Sequence, residues 1–581
     1  MEALEAKILL KNLIKRIKQV DEDRYELRGE LTDDEMTALQ LSLASLDGSS
    51  SQPSPMPAQP IASVQPLKPV PAFSPHSEPK AEPLVEEALV AVEPEPETPS
   101  IEIDTSVLDL SEPAHDRRLC FDFGTAMSKV TLVKDATAER DYEDIKVLHL
   151  GTPGDQEEVS QTMLVSSVFI DGEGLLWFGQ MAVKRSHLEQ NRKRLDNIKH
   201  YLSVEGDGLN SQVTSIFNPT DIDITYGDMV LAYLMFLTWT VNHCLEEEDE
   251  PRNLSRRFAM PCFGGRKSRD TAQLLGEMLG EAQMLADTFF QTLQDGIPLV
   301  TFVDAVAQLR KTTHSYSFIK EAITEPLGVA GAIMSWKKRV DSLIMVVDVG
   351  AGTSDFSLYR MHFNEETGKS TALEVENSAE GITEAGNHLD GLLRGLILKT
   401  AGVNSDDDHW INILGDLELD LRDYKERLFL DGEVSVTLFN DQRVTITLEE
   451  FLGLDQVVKF GDSLKVCRDR ILNRVDPSFI QGAPHGALGL ALTGGGALLP
   501  MVKALAEGTT QVNDKELKLV QTKEFPQWLQ DDYPDLEADY PRIAVSLGGA
   551  RKRVIDRGGV AKVTAGDVKS APALGGYYTK G

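Results

Sequence analysis

The spacing of hydrophobic residues near the N-terminus predicts a helical module over residues 1–48. Apolar positions recur every three or four residues with lysines between them; they are Leu4, Ile8, Leu9, Leu13, Ile14 and Ile17. A Thr-Asp-Asp-Glu sequence beginning at Thr32 matches a capping box and predicts the start of a second helix. The module is either a helical hairpin that docks on a protein partner, or a carrier of a basic amphipathic helix at residues 2–19 for peripheral membrane contact.

The next segment, residues 49–113, is rich in Ser, Pro, Ala and Glu. Such a composition cannot bury enough apolar surface to offset the entropy lost on ordering. It predicts a disordered linker, partly in the polyproline conformation.

From residue 114 to residue 555, short apolar runs alternate with long helical patterns. This alternation is typical of α/β architecture. The longest apolar stretch, residues 229–241, is shorter than the ~20 residues of a membrane span, so it predicts a buried helix and no transmembrane segment. Residues 556–581 are rich in Gly, Lys and Ala, which predicts a loose tail.

Composition narrows the classes of function. The formal net charge of −34 disfavours nucleic acid as a partner, because an acidic surface repels phosphate backbones. The four cysteines are scattered and form no C-x-x-C pair, which disfavours disulfides and zinc sites; they are Cys120, Cys244, Cys262 and Cys467. With acidic residues where a secretory signal would be basic, the chain is predicted to be cytoplasmic.

A weak internal repeat is the most informative feature of the chain. Residues 118–133 read RLCFDFGTAMSKVTLV, and residues 343–360 read LIMVVDVGAGTSDFSLYR. Each has an apolar strand, an Asp-x-Gly sequence, a short turn and a second apolar strand. Asp122 corresponds to Asp348 in this alignment. Two such hairpins predict two related lobes that face each other.

The hairpins have the chemistry of phosphate binding. A glycine-containing turn lets backbone N–H groups approach phosphate oxygens, and a strand-end Asp can hold hydrated Mg²⁺. Thr125, Ser128 and Thr353 add hydroxyl groups, and Lys129 can reach the β- and γ-phosphates. A third glycine-rich turn follows an apolar run at residues 488–500, LGLALTGGGALLP, where bare backbone can lie flat against a nucleoside.

These three motifs, in this order, resemble the two phosphate motifs and the adenosine motif of the actin, sugar-kinase and heat-shock-protein-70 ATPase superfamily. The resemblance covers residues 117–553. Further similarities favour the heat-shock-protein-70 branch: FAMPCF at 258–263, EAITEPLGVAGAIM at 321–334, AGNHLD at 385–390 and AVSLGGA at 544–550. The resemblance implies an actin-like, ribonuclease-H-like duplicated α/β domain, with ATPase lobes at residues 114–348 and 349–555.

The resemblance also implies roles for individual residues. Five would act in catalysis: Asp122, Lys199, Glu325, Asp348 and Asp355. The three aspartates among them would hold Mg²⁺, largely through water. The nucleotide, ATP or ADP, would contact Gly124, Thr125, Ala126, Lys129, Gly350, Ala351, Gly352, Thr353, Gly386, Lys425, Gly494, Gly495 and Gly496. Lys199 and Lys129 compete for the role of the phosphate-neutralising lysine.

The chain departs from the family pattern at several nucleoside contacts, where it has Arg422, Glu426, Gly496, Leu498 and Arg542. About 30 residues follow Ala550, so the family's peptide-binding domain is not expected there. We therefore expect a slow ATPase of the chaperone type, a switch in which Mg-ATP bridges both lobes. Its protein partner would dock on the N-terminal helices or on an extra stretch at residues 264–317. The alternatives are an actin-like filament former, a small-molecule kinase, and a nucleotide sensor with little turnover.

Overall fold

The computed structural model describes residues 101–138, 142–151, 161–189, 193–203, 208–263, 265–333, 341–364 and 369–551, together with strands β1 (Ile17–Asp21), β2 (Arg24–Leu27) and β21 (Lys562–Val563). The chain divides into two units, residues 1–100 and residues 101–581. The architecture is mixed α/β with several sheets. Among the described residues, no helix combines the length and the apolar character that crossing a bilayer requires.

The described part of the first unit is an antiparallel pair of strands, β1 and β2. In the register of this pair, Ile17 lies opposite Leu27, and Lys18 lies opposite Glu26. The helical prediction is wrong for these strands. Tyr25-Glu26-Leu27 alternates apolar and polar residues as a strand does, a period that the helical spacing upstream concealed. The predicted helix start at Thr32 lies outside the described residues.

The second unit begins at residue 101, so the linker predicted to reach residue 113 ends earlier. Val107 is buried in the first hydrophobic core, and Ile101 and Ile103 pack against that core. The backbone N–H of Asp104 donates to Thr288 Oγ1 over 2.9 Å. Residues 101–113 therefore lie along the folded body, because three aliphatic side chains pack on its apolar surface. We call this segment the strap. Residues 49–100 lie outside the described residues.

The first half of the body contains one large mixed sheet. Its order is β11-β9-β3-β4-β5, with β6 paired to β4; β11, β9 and β3 are parallel, and β4 and β5 continue antiparallel. A smaller sheet has the order β10-β8-β7. The strands are β3 (Arg117–Asp122), β4 (Met127–Lys134), β5 (Asp144–Val147), β6 (Leu164–Val165), β7 (Val168–Ile170), β8 (Leu175–Phe178), β9 (Ser255–Met260), β10 (Ile297–Pro298) and β11 (Ile319–Thr324).

In the described parts of this half, the α-helices that accompany these strands are α1 (Gly179–Leu188), α2 (His200–Ser203), α3 (Tyr226–Glu247), α4 (Gly265–Thr288), α5 (Leu299–Leu309) and α6 (Glu325–Ile333). Thr225 starts α3 with a capping box, since its side chain accepts from the Asp228 N–H and the Asp228 side chain reaches back to the Thr225 N–H. The apolar stretch at 229–241 lies inside α3 and is largely buried, as predicted. The extra stretch at 264–317 forms α4 and α5, whose apolar sides belong to the same core.

The second half has its own large sheet, of order β19-β20-β18-β12-β13-β14-β21, with β15 paired to β13. A separate hairpin is formed by β16 and β17. The strands are β12 (Asp341–Val349), β13 (Ser354–Asn364), β14 (Lys369–Val375), β15 (Glu380–Ile382), β16 (Glu433–Thr437), β17 (Arg443–Thr447), β18 (Ala487–Thr493), β19 (Thr509–Val512) and β20 (Lys515–Gln521). The tail prediction is wrong for Lys562–Val563, because β21 pairs in parallel with β14.

The helices of the second half are α7 (Gly386–Ala401), α8 (Trp410–Asp431), α9 (Leu448–Leu452), α10 (Asp455–Arg474), α11 (Pro477–Gln481), α12 (Pro500–Lys503), α13 (Gln527–Asp532) and α14 (Tyr540–Ala550). The second core lies between its sheet and helices α7, α8 and α10. Because β12 is central to this sheet, the predicted division after residue 348 falls inside a strand. The two halves instead divide between Ile333 and Asp341.

The two large sheets repeat the same topology. The order β11-β9-β3-β4-β5 of the first corresponds to β20-β18-β12-β13-β14 of the second, with the same strand directions. The register also repeats, since Asp122 pairs with Lys129 across one hairpin and Asp348 pairs with Asp355 across the other. The repeat inferred from the two hairpins is thus a duplication of whole sheets.

Helices α6 and α14 join the two halves, because each of them packs on the sheet of the other half. Helix α14, from the second half, packs on β3, β4 and β9 of the first sheet, and α6 packs on β12, β13 and β14 of the second. They cross closely: a methyl group added at Gly548 would lie 1.8 Å from Gly328 O. A third core fills the junction with residues from both sheets and both helices.

The strap gives a first prediction. A chain starting at residue 101 keeps the side chains of Ile101, Ile103 and Val107 on the core, whereas a chain starting at residue 114 exposes the apolar surface beneath them. We expect the shorter chain to lose about 2–5 kcal/mol of unfolding free energy in urea. Equal stability of the two chains would show that the strap contributes nothing.

The helix crossing gives a second prediction. Gly548→Ala should lower the unfolding free energy by about 2–4 kcal/mol, because the added methyl group meets backbone that cannot move aside. Gly395→Ala is the control, since its methyl group in α7 would have no neighbour within 4 Å. It should be neutral or stabilising by up to about 1 kcal/mol. The crossing is not tight if the two variants unfold alike.

Candidate functional site

The two repeated turns lie against each other. A methyl group added at Gly352, in the second turn, would be 2.9 Å from Thr125 Oγ1 in the first. A second polar contact between the halves lies nearby, where Asn387 Nδ2 donates to Asn197 Oδ1 over 3.0 Å. The structure therefore brings the predicted phosphate-binding turns, residues 122–129 and 348–355, to one place.

The first turn is set by strand β3 and by glycine. The apolar run of β3 is buried on both sides, as expected for a central strand, and it delivers Asp122 to the turn in a buried position. A methyl group at Gly124 would fall 2.0 Å from Met127 O, so the turn requires glycine there. Lys129 returns on β4 and places its Nζ 3.5 Å from Asp122 Oδ2.

The second turn has the same plan with an acid in place of the lysine. The Gly350 N–H donates to Thr353 O over 2.9 Å and closes the turn between β12 and β13. Asp355 occupies the register position that Lys129 has in the first hairpin. The N–H of Cys262, at the end of β9 in the other half, donates to Asp355 Oδ1 over 3.1 Å.

The third glycine-rich turn packs against the second one and is hydrogen-bonded to it. Gly494 has a φ of 82° and donates its N–H to Pro541 O, while the Gly496 N–H donates to Val349 O over 2.9 Å. A methyl group at Gly494 would lie 2.4 Å from Asp348 Oδ1. Gly495 is exposed and has open space beside it. Of the three predicted glycines, Gly495 is therefore the one that is exposed and has open space beside it for a ligand.

Gly386 and Lys425 also lie at the second turn. The Gly386 N–H donates to Gly350 O over 3.1 Å, which fixes the start of α7 beside the turn. Lys425 extends from α8, where its Nζ donates to Gly386 O over 3.1 Å and pairs with Asp390 Oδ1 at 2.7 Å. The lysine amine is therefore next to the site, held by α7.

Four buried carboxyl groups meet at this place: Asp122, Glu325, Asp348 and Asp355. Burial raises the pKa of Asp348 well above its usual value, and the charges of Glu325, Asp122 and Asp355 raise it further. Burial likewise raises the pKa of Asp355, although hydrogen bonds from Thr353 and the Cys262 N–H oppose the change. The cluster is therefore rich in unbalanced negative charge.

Lys199 and Glu325 form a buried ion pair within the cluster. Burial raises the pKa of Glu325 to about 7; the ammonium of Lys199 opposes that shift, and Asp355 and Asp122 add to it. Burial alone would lower the pKa of Lys199, but Glu325 and Asp122 outweigh it, and the pKa is raised. A carboxyl group with a pKa near neutrality is suited to exchange a proton with a bound molecule.

The residues present fit a hydrated divalent cation. Within the described parts of the chain, no three or more His, Cys, Asp or Glu side chains are arranged to bind a metal ion directly. However, Asp355 Oδ2 is buried with no hydrogen-bond partner among the described residues, and the two ion pairs at the cluster are Lys129–Asp122 and Lys199–Glu325. A cation bound mostly through its own water molecules would complement this charge, as Mg²⁺ does.

One sequence-based assignment, the role of the Ser128 hydroxyl, does not hold. Ser128 was expected to offer a hydroxyl group to phosphate, but it is fully buried and hydrogen-bonded to Ser166 and Tyr233. Its place on a strand, where alternate side chains face opposite sides, turns it away from the site. Leu498, one of the positions where the sequence departs from the pattern that it resembles, is 63% exposed.

The sequence analysis missed two contributors to the site. The Cys262 N–H is one, and its position at the carboxyl end of a strand parallel to β3 could have signalled it, since such ends meet at one edge of a sheet. Phe123 is the other, because its ring lies over the Lys199 amine. No local pattern signals that contact.

Comparison with models of known protein families and with curated protein sequences gives no match for this chain.

The carboxyl cluster gives a third prediction. A carboxyl group whose pKa is raised by folding stabilises the fold below its ordinary pKa and loses that contribution as the pH rises through the raised value. For Glu325 this window runs from 4.5 to about 7. We expect the unfolding free energy of the ligand-free protein to fall across it in urea titrations. Asp348→Asn, which removes one repelling charge, should be more stable than the wild type at pH 8 by about 1–3 kcal/mol.

The matched control is Asp304→Asn, an exposed acid on α5 that changes the net charge equally. It should leave the unfolding free energy within about 0.5 kcal/mol of the wild type. A loss of stability in Asp348→Asn at pH 8 would show that the aspartate is compensated in the ligand-free fold.

Proposed function

We propose that this chain is an actin-like, two-lobed ATPase of the heat-shock-protein-70 type, which binds Mg-ATP between its two lobes and hydrolyses it slowly. The observation that carries the proposal is the contact between Thr125 and Gly352. It brings two turns of equivalent topology, one from each half, to a single cluster of buried carboxylates. A triphosphate held there would contact both halves.

The phosphates would be bound mainly by backbone. The turn residues Thr125, Ala126, Ala351 and Thr353 are partly exposed, and their N–H groups would bind the phosphate oxygens. The Lys129 amine, 3.5 Å from Asp122, adds a positive charge at the same place. Mg²⁺, when bound, would neutralise phosphate charge, and Asp122, Asp348 and Asp355 would hold it through water.

Hydrolysis would depend on the Lys199–Glu325 pair. Phosphoryl transfer requires positioning and charge neutralisation more than covalent help from the protein. Glu325 would orient the attacking water and accept its proton, for which a pKa of about 7 is suitable. Lys199 would keep Glu325 in place and offset the charge that develops on the transferred group.

A second candidate is a nucleotide sensor with little turnover. It is favoured by the nucleoside side of the site, where Leu498 is 63% exposed and Lys425 is already paired with Asp390. Fewer side chains are then free to bind the base, so occupancy would follow nucleotide concentration. Binding of Mg-ATP with turnover no faster than spontaneous hydrolysis would favour this candidate over the ATPase.

A partner would dock on the N-terminal unit or on the exposed sides of α4 and α5, where Val300 is exposed. Lobe closure around ATP would be the signal that such a partner detects. We place the protein in the cytoplasm, on its scattered cysteines.

The fourth prediction tests the function directly. Calorimetric titration should show Mg-dependent binding of ATP and ADP to the wild type, and Asp348→Asn should lose the Mg-dependent part. Glu325→Gln should bind nucleotide but hydrolyse it about 100-fold more slowly or worse. Asp304→Asn should bind and hydrolyse ATP as the wild type does. If Asp348→Asn shows unchanged binding and unchanged hydrolysis, the assignment of the site is wrong.

A further inference from the structure

The ring of Phe123 faces the amine of Lys199. The two are held in different segments, Phe123 in the turn after β3 and Lys199 in the turn before α2. Lys199 Nζ lies 5.9 Å from the centroid of the Phe123 ring. An ammonium group within about 6 Å of an aromatic centroid is attracted by the ring face, and the attraction is strongest where water is excluded. Both side chains are buried here.

The ring is fixed from its other side. Tyr233 of α3 stacks on Phe123 with a centroid distance of 5.4 Å and an interplanar angle of 27°. The Tyr233 hydroxyl donates to Ser128 Oγ over 3.0 Å and accepts from Ser166 Oγ over 3.1 Å. Tyr233 and its two serine partners are all fully or almost fully buried. The aromatic pair is thus tied to β4 and to the segment between β6 and β7.

The Lys199 amine needs such a constraint. Its four-carbon stem is flexible, and its charge interacts with three carboxylates, those of Glu325, Asp122 and Asp355. Glu325 is the partner with which it forms a hydrogen bond. A fixed ring restricts where the ammonium can lie, so it favours one of these arrangements over the others.

We propose that Phe123 is a positioning residue for Lys199, with its ring held by Tyr233 so that the ammonium stays on Glu325 at the site of phosphoryl transfer. The inference rests on the proposed function, because that function gives the Lys199–Glu325 ion pair its role in turnover. The contact itself is independent of nucleotide. It can therefore be tested in the ligand-free protein as well as in turnover.

The test compares Phe123→Leu with a matched variant, Phe178→Leu. Phe178 is also 4% exposed and also stacks on a ring of α3, that of Phe236, at 5.3 Å. Two quantities are measured: the rate at which acetic anhydride acylates Lys199 in the ligand-free protein, by mass spectrometry, and kcat and KM for Mg-ATP. Thermal unfolding reports the stability that each variant loses.

In the Phe123→Leu variant, acetic anhydride should acylate Lys199 about threefold to thirtyfold faster than in the wild type. The kcat of the variant should be lower by a similar factor, which is the range expected for a buried cation–ring contact. KM should change less than about twofold. Phe178→Leu should lose comparable stability but keep the acylation rate and kcat. Phe123→Tyr, which retains a ring face, should restore both. If Phe123→Leu does not fold, Tyr233→Phe is the substitute, because it keeps both rings but removes the hydroxyl group that anchors them. It should change the acylation rate and kcat in the same directions by a smaller factor.

Equal acylation rates and equal kcat in Phe123→Leu and Phe178→Leu would overturn the inference. Faster acylation with wild-type kcat would also overturn it, since the contact would then exist without a role in turnover. If the wild type neither binds nor hydrolyses ATP while acylation responds as expected, the proposed function fails and the contact between ring and amine stands apart from it.

Discussion

The close crossing of α6 and α14 is the constraint on which the arrangement of the two halves depends. Gly548 lies so near the backbone of Gly328 that no side chain fits between them, and each helix rests on the sheet of the other half. Buried arginines fix the end of α14 to the first sheet, since Arg118 donates to Ala550 O and Arg257 donates to Gly549 O. The two sheets are held in one relation to each other, and the turns at their adjoining ends meet.

The consequence is an electrostatic conflict at the meeting point. Each half brings aspartates to the end of its hairpin, and the junction buries them together with Glu325 from the start of α6. Burial raises the pKa of both Glu325 and Asp348, and the charges of neighbouring carboxylates raise both pKa values further. A fold selected only for stability would not keep them together. A cationic or metal-bound ligand would relieve the repulsion, which is why this cluster is the strongest sign of function in the molecule.

Local patterns predicted the elements that carry the site. Both hairpins, the buried helix α3 and the strand before the third glycine turn lie where the sequence indicated, because apolar runs flanked by glycine have few alternatives. The failures were of two kinds. At β1 and β2 the apolar residues have helical spacing upstream, although the chain forms strands there. At residues 101–113 isolated aliphatic residues in a Pro- and Glu-rich stretch pack on a surface formed by residues far along the chain. Local composition contains no information about such a surface.

Two glycine turns, each preceded by an apolar run that contains an aspartate near its end, can be inferred from the amino-acid sequence of this α/β chain without its coordinates. Backbone sterics and hydrophobic periodicity act over a few residues, so they can be inferred from a few residues. Three other features follow from long-range packing: α6 and α14 each lie on the sheet of the other half, Ser128 is buried in the core, and Phe123 lies over Lys199. Those contacts join residues far apart along the chain, and their geometry follows from how the helices and sheets pack against one another.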